Sequence, residues 1–445
     1  MSARGARVDP TRGSVRAAIR RLAGPAVAAT LLQSLFNIAD TFWVGRGLGP
    51  AALAGVSTAG FTVWLILAIA ELPAVGLIAV ASRRHGEGRH DDAVRAVYEA
   101  FWLGIGVAFA VGGVGLVGLP GLFAIMGTDA EVTAQGAAYL AVYLAGAPVV
   151  FSYFVMDSAF RAAGDTRTPL ILLAVSLGLN MVLDPLLILG IGVFPRLGIQ
   201  GAALATLVTR TVGCLLGFRW LVARRLAGRS RARAGQMWDM ARIGLPVAAG
   251  GATFSVVYIL LTRITSEFGT PALAALGVGH KVESLSYMTC VGFGMAAATA
   301  VGQNMGAGDR GRAELAGRLA TRYAVMVTGA VGLAFLLVPG PLVGLFTHDP
   351  DVIRAGSSYL RIVSIAQLFM ALEMVFQMGM EGAGYTAPGM IASVVLTVLR
   401  LPLALVLRGP LGVAGIWWSI SATAIGRGAA VGWIWRLGRW KLREV

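Results

Sequence analysis

The stretches "RRHGEGRHDDA" (83–93) and "QNMGAGDRGRA" (303–313) decide the reading of this chain, because each closes an apolar run with the same Gly-x-Gly turn. Gly86 and Gly88 match Gly306 and Gly308, and Ala93 matches Ala313, all at an offset of 220. The offset recurs along the chain. Asp129, Val132, Gly136, Tyr139 and Leu140 pair with Asp349, Val352, Gly356, Tyr359 and Leu360. Ala163, Gly164 and Thr166 in "RAAGDTRTP" pair with Ala383, Gly384 and Thr386 in "EGAGYTAP", and "LAGP" at 22–25 answers "IGLP" at 243–246. The chain of 445 residues is therefore two copies of one unit.

Between these landmarks lie charge-free windows, among them 47–70, 100–128, 132–156, 243–262, 284–308, 323–348, 382–399 and 409–426. Charged residues make up 13% of the chain and hydrophobic ones 57%, with a mean hydropathy of +0.75. A soluble domain carries roughly 25% charge, and a helix of about 20 apolar residues crosses a bilayer. The composition predicts an all-α polytopic membrane protein. Twelve spans are expected near 15–44, 50–81, 95–118, 134–161, 168–192, 198–222, 240–266, 272–303, 313–338, 352–381, 386–407 and 411–436. Six spans per copy is an even number, so both copies enter the membrane in the same direction. Repeats of this kind usually set a substrate site between the halves and work by alternating access.

The 60 glycines fit close helix approach in a membrane, and the alternating pattern of an outer-membrane barrel is absent. Cys214 and Cys290 fall inside expected helices, as small packing residues instead of a disulfide or metal pair. No cleavable leader is expected, because the first apolar stretch is long and lacks a cleavage site. The net charge of +15 is topological. With the N-terminus inside, 28 of the 37 basic residues fall in inner segments and six in outer ones, which orients both termini to the cytoplasm of an inner, cytoplasmic membrane. Nucleic acid is a poor second explanation. The expected organisation is an inner N-terminal segment (1–21), a first lobe (22–222), a basic linker (223–239), a second lobe (240–436) and an inner tail (437–445).

Within this apolar frame, "FNIADTFWVG" (36–45) keeps Asp40. Counting from helix ends at 1.5 Å per residue puts Asp40 about 9 Å, and Asp184 about 12 Å, below the outer surface. Asn180 precedes Asp184 by four residues, on the same face. Thr206 of the next helix and Asp157, four residues before Arg161, complete the candidate set. A carboxylate at bilayer depth costs ~2.5–3.5 kcal/mol and marks function by default. Two chemistries suit it: proton uptake by a carboxyl whose pKa burial raises, or an all-oxygen site for a hard cation such as Na⁺. The plain alternative is cross-helix hydrogen bonding. Pro25 removes a backbone donor from the helix that carries Asp40 and supplies a hinge. No organic cofactor and no other metal site are expected.

The second copy differs. The counterpart of Asp40 is Leu261, and the charged set there is Arg263, His280, Lys281, Glu283, Glu373 and Arg400. Of these, Lys281, Glu283, Glu373 and Arg400, with Glu71 and Tyr139 of the first copy, are candidates to line a central cleft.

The stretches "FNIADTFWVGRGLGPAALAGVS" (36–57), "FRAAGDTRTP" (160–169), "MEGAGYTAP" (380–388), "NMVLDPLLI" (180–188) and "LGIQGAALATLV" (197–208), in this order and within a 6+6 repeat, resemble the multidrug and toxic compound extrusion (MATE) family. An acid in helix 1 with Asn and Asp in helix 5 resembles its DinF-like branch. The resemblance implies a monomeric secondary antiporter that expels amphipathic, often cationic, organic compounds in exchange for H⁺ or Na⁺. Where Asp157 stands the family more often has Asn. The rival from the same superfamily is a lipid-linked oligosaccharide flippase, for which Arg263, Lys281 and Arg400 would form a cationic cleft. No GxxxxGK[ST] loop supports ATP-driven transport. An intramembrane enzyme would need paired acidic metal motifs, and Asp91–Asp92 is the only adjacent acidic pair, in a basic inner loop.

Overall fold

A computed structural model of the chain describes residues 8–48, 50–126 and 130–443. Side chains at 35–42, 45–47, 50–58, 61, 124–126, 130–132 and 270 lie outside the described residues. The described residues form helices throughout. In chain order these are α1 (Val15–Leu48), α2 (Pro50–Gly86), α3 (His90–Met126), α4 (Ala130–Ala145), α5 (Ala147–Ala162), α6 (Arg167–Leu189), α7 (Ile199–Ala223) and α8 (Ala234–Ser266). They continue with α9 (Thr270–Gly306), α10 (Arg310–Leu337), α11 (Pro339–Gly344), α12 (Pro350–Val363), α13 (Ala366–Gly382), α14 (Ala387–Leu411) and α15 (Val413–Leu437), and a 3₁₀ turn (Arg439–Leu442) ends the chain. Among the described residues eight helices are long and apolar enough to cross a membrane, and two bent pairs, each taken as one span, bring the number to ten. Helices α1, of 34 residues, and α15, of 25, lie at the two remaining expected spans.

The duplication is written into the backbone. Gly88 and Gly308 have φ of 75° and 77°, and Gly164 and Gly384 have φ of 79° and 75°. All four occupy the left-handed region that glycine adopts without a Cβ penalty, which is why the motifs hold glycine there. Helix α3 begins earlier than the apolar pattern alone suggests, since Asp91 and Asp92 in its first turn favour a helix N-terminus.

By internal contacts the chain divides into two units. Unit 1 holds 1–8 and 32–248, and unit 2 holds 9–31 and 249–445. These bounds differ from the expected lobes. The opening part of α1 belongs to unit 2, and the opening part of α8 belongs to unit 1. Packing explains both assignments. In unit 2 a Cβ on Gly292 of α9 would sit 2.5 Å from the Cα of Val27, and the Thr30 hydroxyl donates to the Met288 carbonyl at 2.8 Å. In unit 1 Gly244 of α8 meets the Leu72 carbonyl of α2 in the same manner. Helix α1 continues through Pro25 without a break in its assignment.

Two expected spans are broken. Helices α4 and α5 meet at 55°, and α12 and α13 at 57°. At the first break Pro148 has no N–H to give the Leu144 carbonyl, and that carbonyl faces Gly112 of α3, where a Cβ would lie 2.9 Å away. At the second, the Ser364 carbonyl keeps only a long 3.4 Å bond from Gln367, and Gly332 of α10 faces it with a Cβ position 2.5 Å away. Positions 112 and 332, like 144 and 364, are 220 apart, so the duplication preserved a glycine over each opened carbonyl. Gly112→Val and Gly332→Val should each lower stability by about 1–3 kcal/mol through overpacking. Thermal unfolding in detergent measures this, and Gly113→Val, with nothing within 4 Å of its Cβ position, should leave the midpoint unchanged.

Candidate functional site

In unit 1, α6 and α7 pack together and bring the expected polar residues into the interior. Asn180 and Asp184 are both 0% exposed, and Thr206 on α7 is 6% exposed. The i,i+4 spacing places Asn180 and Asp184 one turn apart, and Asn180 Nδ2 donates to Asp184 Oδ1 at 3.0 Å. The amide nitrogen is thereby used, which turns Asn180 Oδ1 away from that bond. Among the described residues neither Asn180 Oδ1 nor Thr206 Oγ1 has a hydrogen-bond partner. A carboxylate, an amide oxygen and a hydroxyl oxygen are buried on two adjacent helices, the donor set of a hard cation or of an exchangeable proton. Asp40 is on α1, but its side chain lies outside the described residues.

Asp157 goes elsewhere. It pairs with Arg161 one turn along α5 at 2.5 Å. Arg161 is 8% exposed and also donates to Ser158. Arg210 on α7 stacks over the Tyr153 ring at 4.8 Å and reaches Gln33 of α1 at 3.4 Å. Helix α5 therefore carries a paired charge.

The candidate cleft residues divide by exposure. Glu71 and Lys281 are exposed. Tyr139, Glu373 and Arg400 are buried. Tyr139 stacks on Tyr143 at 6.3 Å, because i,i+4 aromatics on α4 share a face. Glu373 accepts from Ser393 at 2.9 Å and pairs with Arg427 at 3.4 Å. Glu283 accepts from the Tyr359 hydroxyl at 2.5 Å and from Gln367 at 2.7 Å. Arg400 donates through Nε to Thr423 at 2.9 Å and lies over the Tyr258 ring at 5.1 Å.

The MatE family model matches residues 25–186 and again 246–406, one match in each copy of the duplication. The chain belongs to the MatE family. It is a membrane transporter and not an enzyme. A "Probable multidrug resistance protein NorM" from Thermotoga maritima is 28% identical over 443 residues, covering 97% of this chain and 94% of the relative. An FAD transporter from Shewanella oneidensis is 28% identical over 382 residues, covering 85% of this chain and 83% of its own length. Among solved structures, a MATE protein in the bent conformation superposes with a TM-score of 0.89 at 25% identity, over 98% of this chain and 97% of that one.

Sequence reasoning missed one polar cluster of this MatE chain. Asp165, 0% exposed, accepts from the Thr168 hydroxyl at 2.6 Å, from the Thr168 N–H at 3.0 Å and from Arg224 at 2.5 Å. It ties the start of α6 to the end of α7. "GDTRT" was the available signal, an acid placed to cap the helix that follows. In the second copy Tyr385 replaces the acid, and Gln377 bonds instead to Glu381 and to the Thr386 carbonyl.

Proposed function

We propose that this MatE transporter is a secondary antiporter that exports amphipathic, often cationic, organic compounds in exchange for H⁺ or Na⁺, with Asp184, Asn180 and Asp40 carrying the coupling ion. The supporting observation is the fully buried Asn180–Asp184 pair with two further oxygen acceptors beside it. A carboxylate in that setting is neutralised either by a proton or by a cation, and either event removes a charge from the interior of unit 1. The hinge falls at Pro25. A solved relative exists in a bent conformation, and helix bends concentrate at proline, so occupancy of the site is read as biasing the shape of α1 and thereby alternating access. The chain acts as a monomer of the DinF-like branch in the cytoplasmic membrane, both termini inside, as its basic segments favour. The flippase reading has weaker support, because Arg400, one of its three cationic wall residues, is 0% exposed.

Everted vesicles test the reading. A fluorescent organic cation should accumulate when a pH or Na⁺ gradient is imposed, and the signal should collapse when that gradient is dissipated. Translocation of a lipid-linked sugar with no cation signal would reject it.

A further inference from the structure

The duplication pairs the coupling site of unit 1 with a position of opposite chemistry in unit 2. Helices α6 and α14 start 220 residues apart, at Arg167 and Ala387, each after a positive-φ glycine. Helices α7 and α15 follow Gly198 and Gly412, 214 residues apart, with φ of 56° and 59°. The register is fixed by packing: Gly201 meets the Leu187 carbonyl and Gly415 meets the Leu407 carbonyl. In this register Asn180 corresponds to Arg400, Asp184 to Ala404, Thr206 to Ile420 and Thr209 to Thr423. Asp40 already corresponds to Leu261. Asp184, Thr206 and Asp40 have apolar counterparts in the second copy, Thr209 keeps its hydroxyl as Thr423, and Asn180 is replaced by a guanidinium.

That guanidinium has more donors than the protein satisfies. Arg400 is 0% exposed, and its charge is permanent. Nε is used by Thr423, whereas Nη1 and Nη2 have no acceptor among the described residues. The surrounding acids are otherwise engaged. Glu373 is held by Arg427 and Ser393. Both Glu373 and Glu283 act on Arg400 electrostatically, yet the Glu283 oxygens accept from Tyr359 and Gln367 and neither acid makes an ion pair with Arg400 among the described residues. A further buried donor, Trp417 Nε1, also lacks a partner, as does the ring nitrogen His280 Nε2, whose role depends on the tautomer. Both rings pack edge-on to Tyr359, at 5.1 and 5.9 Å, and His280 also meets Tyr258, the ring beneath Arg400, at 4.8 Å. Buried donors left without acceptors are costly, and charged donors most of all.

We propose that unit 2 binds a small monovalent anion, of chloride size and charge, at Nη1 and Nη2 of Arg400. One guanidinium charge matches one anionic charge, and the fully buried Tyr359 and Trp417 belong to the same aromatic cluster as Tyr258 and His280. Together with the coupling site proposed for unit 1, this would give a MatE chain a cation site in one copy and an anion site in the other. The inference does not rest on the export reading.

Crystals or cryo-cooled lattices of the full chain in bromide should show an anomalous peak within about 4 Å of the Arg400 guanidinium, the distance of a contact ion pair. The purified protein should melt about 3 °C higher in chloride than in gluconate at equal ionic strength, a shift expected of a bound ligand. Arg400→Gln should abolish that difference, and Arg263→Gln, at an exposed position of α8, should keep it. An Arg400 site occupied by water alone in bromide, or a chloride effect that survives Arg400→Gln, would overturn the proposal. If Arg400→Gln does not fold, the bromide map of the unaltered chain decides. None of these readouts requires transport, so their failure leaves the antiport reading standing.

Discussion

Asp184→Asn should cut gradient-driven accumulation of an organic cation in everted vesicles by about tenfold to a hundredfold, with the protein still folded. The substitution keeps the shape of the side chain and leaves an oxygen to accept from Asn180 Nδ2, now bonded at 3.0 Å. It removes the charge. Interactions with a charged group are worth about 1.5–3 kcal/mol, and each 1.4 kcal/mol is a tenfold change in affinity. An Asn cannot take up a proton at neutral pH and offers a cation one neutral oxygen in place of an anionic pair. Asp184→Ala removes the bond as well and serves as the harsher companion. If Asp184→Asn exported at the unaltered rate with full gradient dependence, Asp184 would be a packing residue that hydrogen-bonds to Asn180 and nothing more.

The second large effect concerns folding. Gly382→Ala should prevent the tight α9–α13 packing of unit 2 and lower stability by about 3 kcal/mol, the upper end of overpacking costs. A Cβ at Gly382 would be driven into the backbone carbonyl of Ala298, and a main-chain oxygen inside a helix has no rotamer with which to escape. Gly382 also closes α13 just before Gly384, whose φ of 75° turns the chain into α14. Displacing it would therefore disturb the helix that carries Arg400. Thermal unfolding in detergent reads the loss, and Gly344→Ala, with open space at its Cβ position, is the control.

Much of this was legible from residues alone. Charge-free windows at about 20-residue length marked the crossings, and the 220-residue offset marked the duplication down to the four positive-φ glycines. The i,i+4 spacing of Asn180 and Asp184 placed them on one face, where they are indeed bonded. The breaks in α4–α5 and α12–α13 were harder to see. Pro148 was a visible signal for the first. The second, around Ser364, has neither proline nor glycine, and its bend is set by packing against Gly332, information that lies 32 positions away in sequence. Exposure was the weakest inference. Arg400 and Glu373 have the polarity of wall residues, yet partners from neighbouring helices accompany the burial of each. The offset of 220 already joined Asn180 to Arg400, but the exchange of acceptor for donor acquires meaning only once Arg400 is known to be fully buried. The unit bounds followed contacts of α1 and α8 that no composition change marks.

Coupled flux through purified protein in proteoliposomes tests the account at its centre. With no gradient imposed, adding the organic cation to the side from which it is exported should drive H⁺ or Na⁺ in the opposite direction through the unaltered protein, and Asp184→Asn should abolish that counterflow. Counterflow that persists undiminished in Asp184→Asn, or cation export with no counterflow of either ion in the unaltered protein, would contradict it.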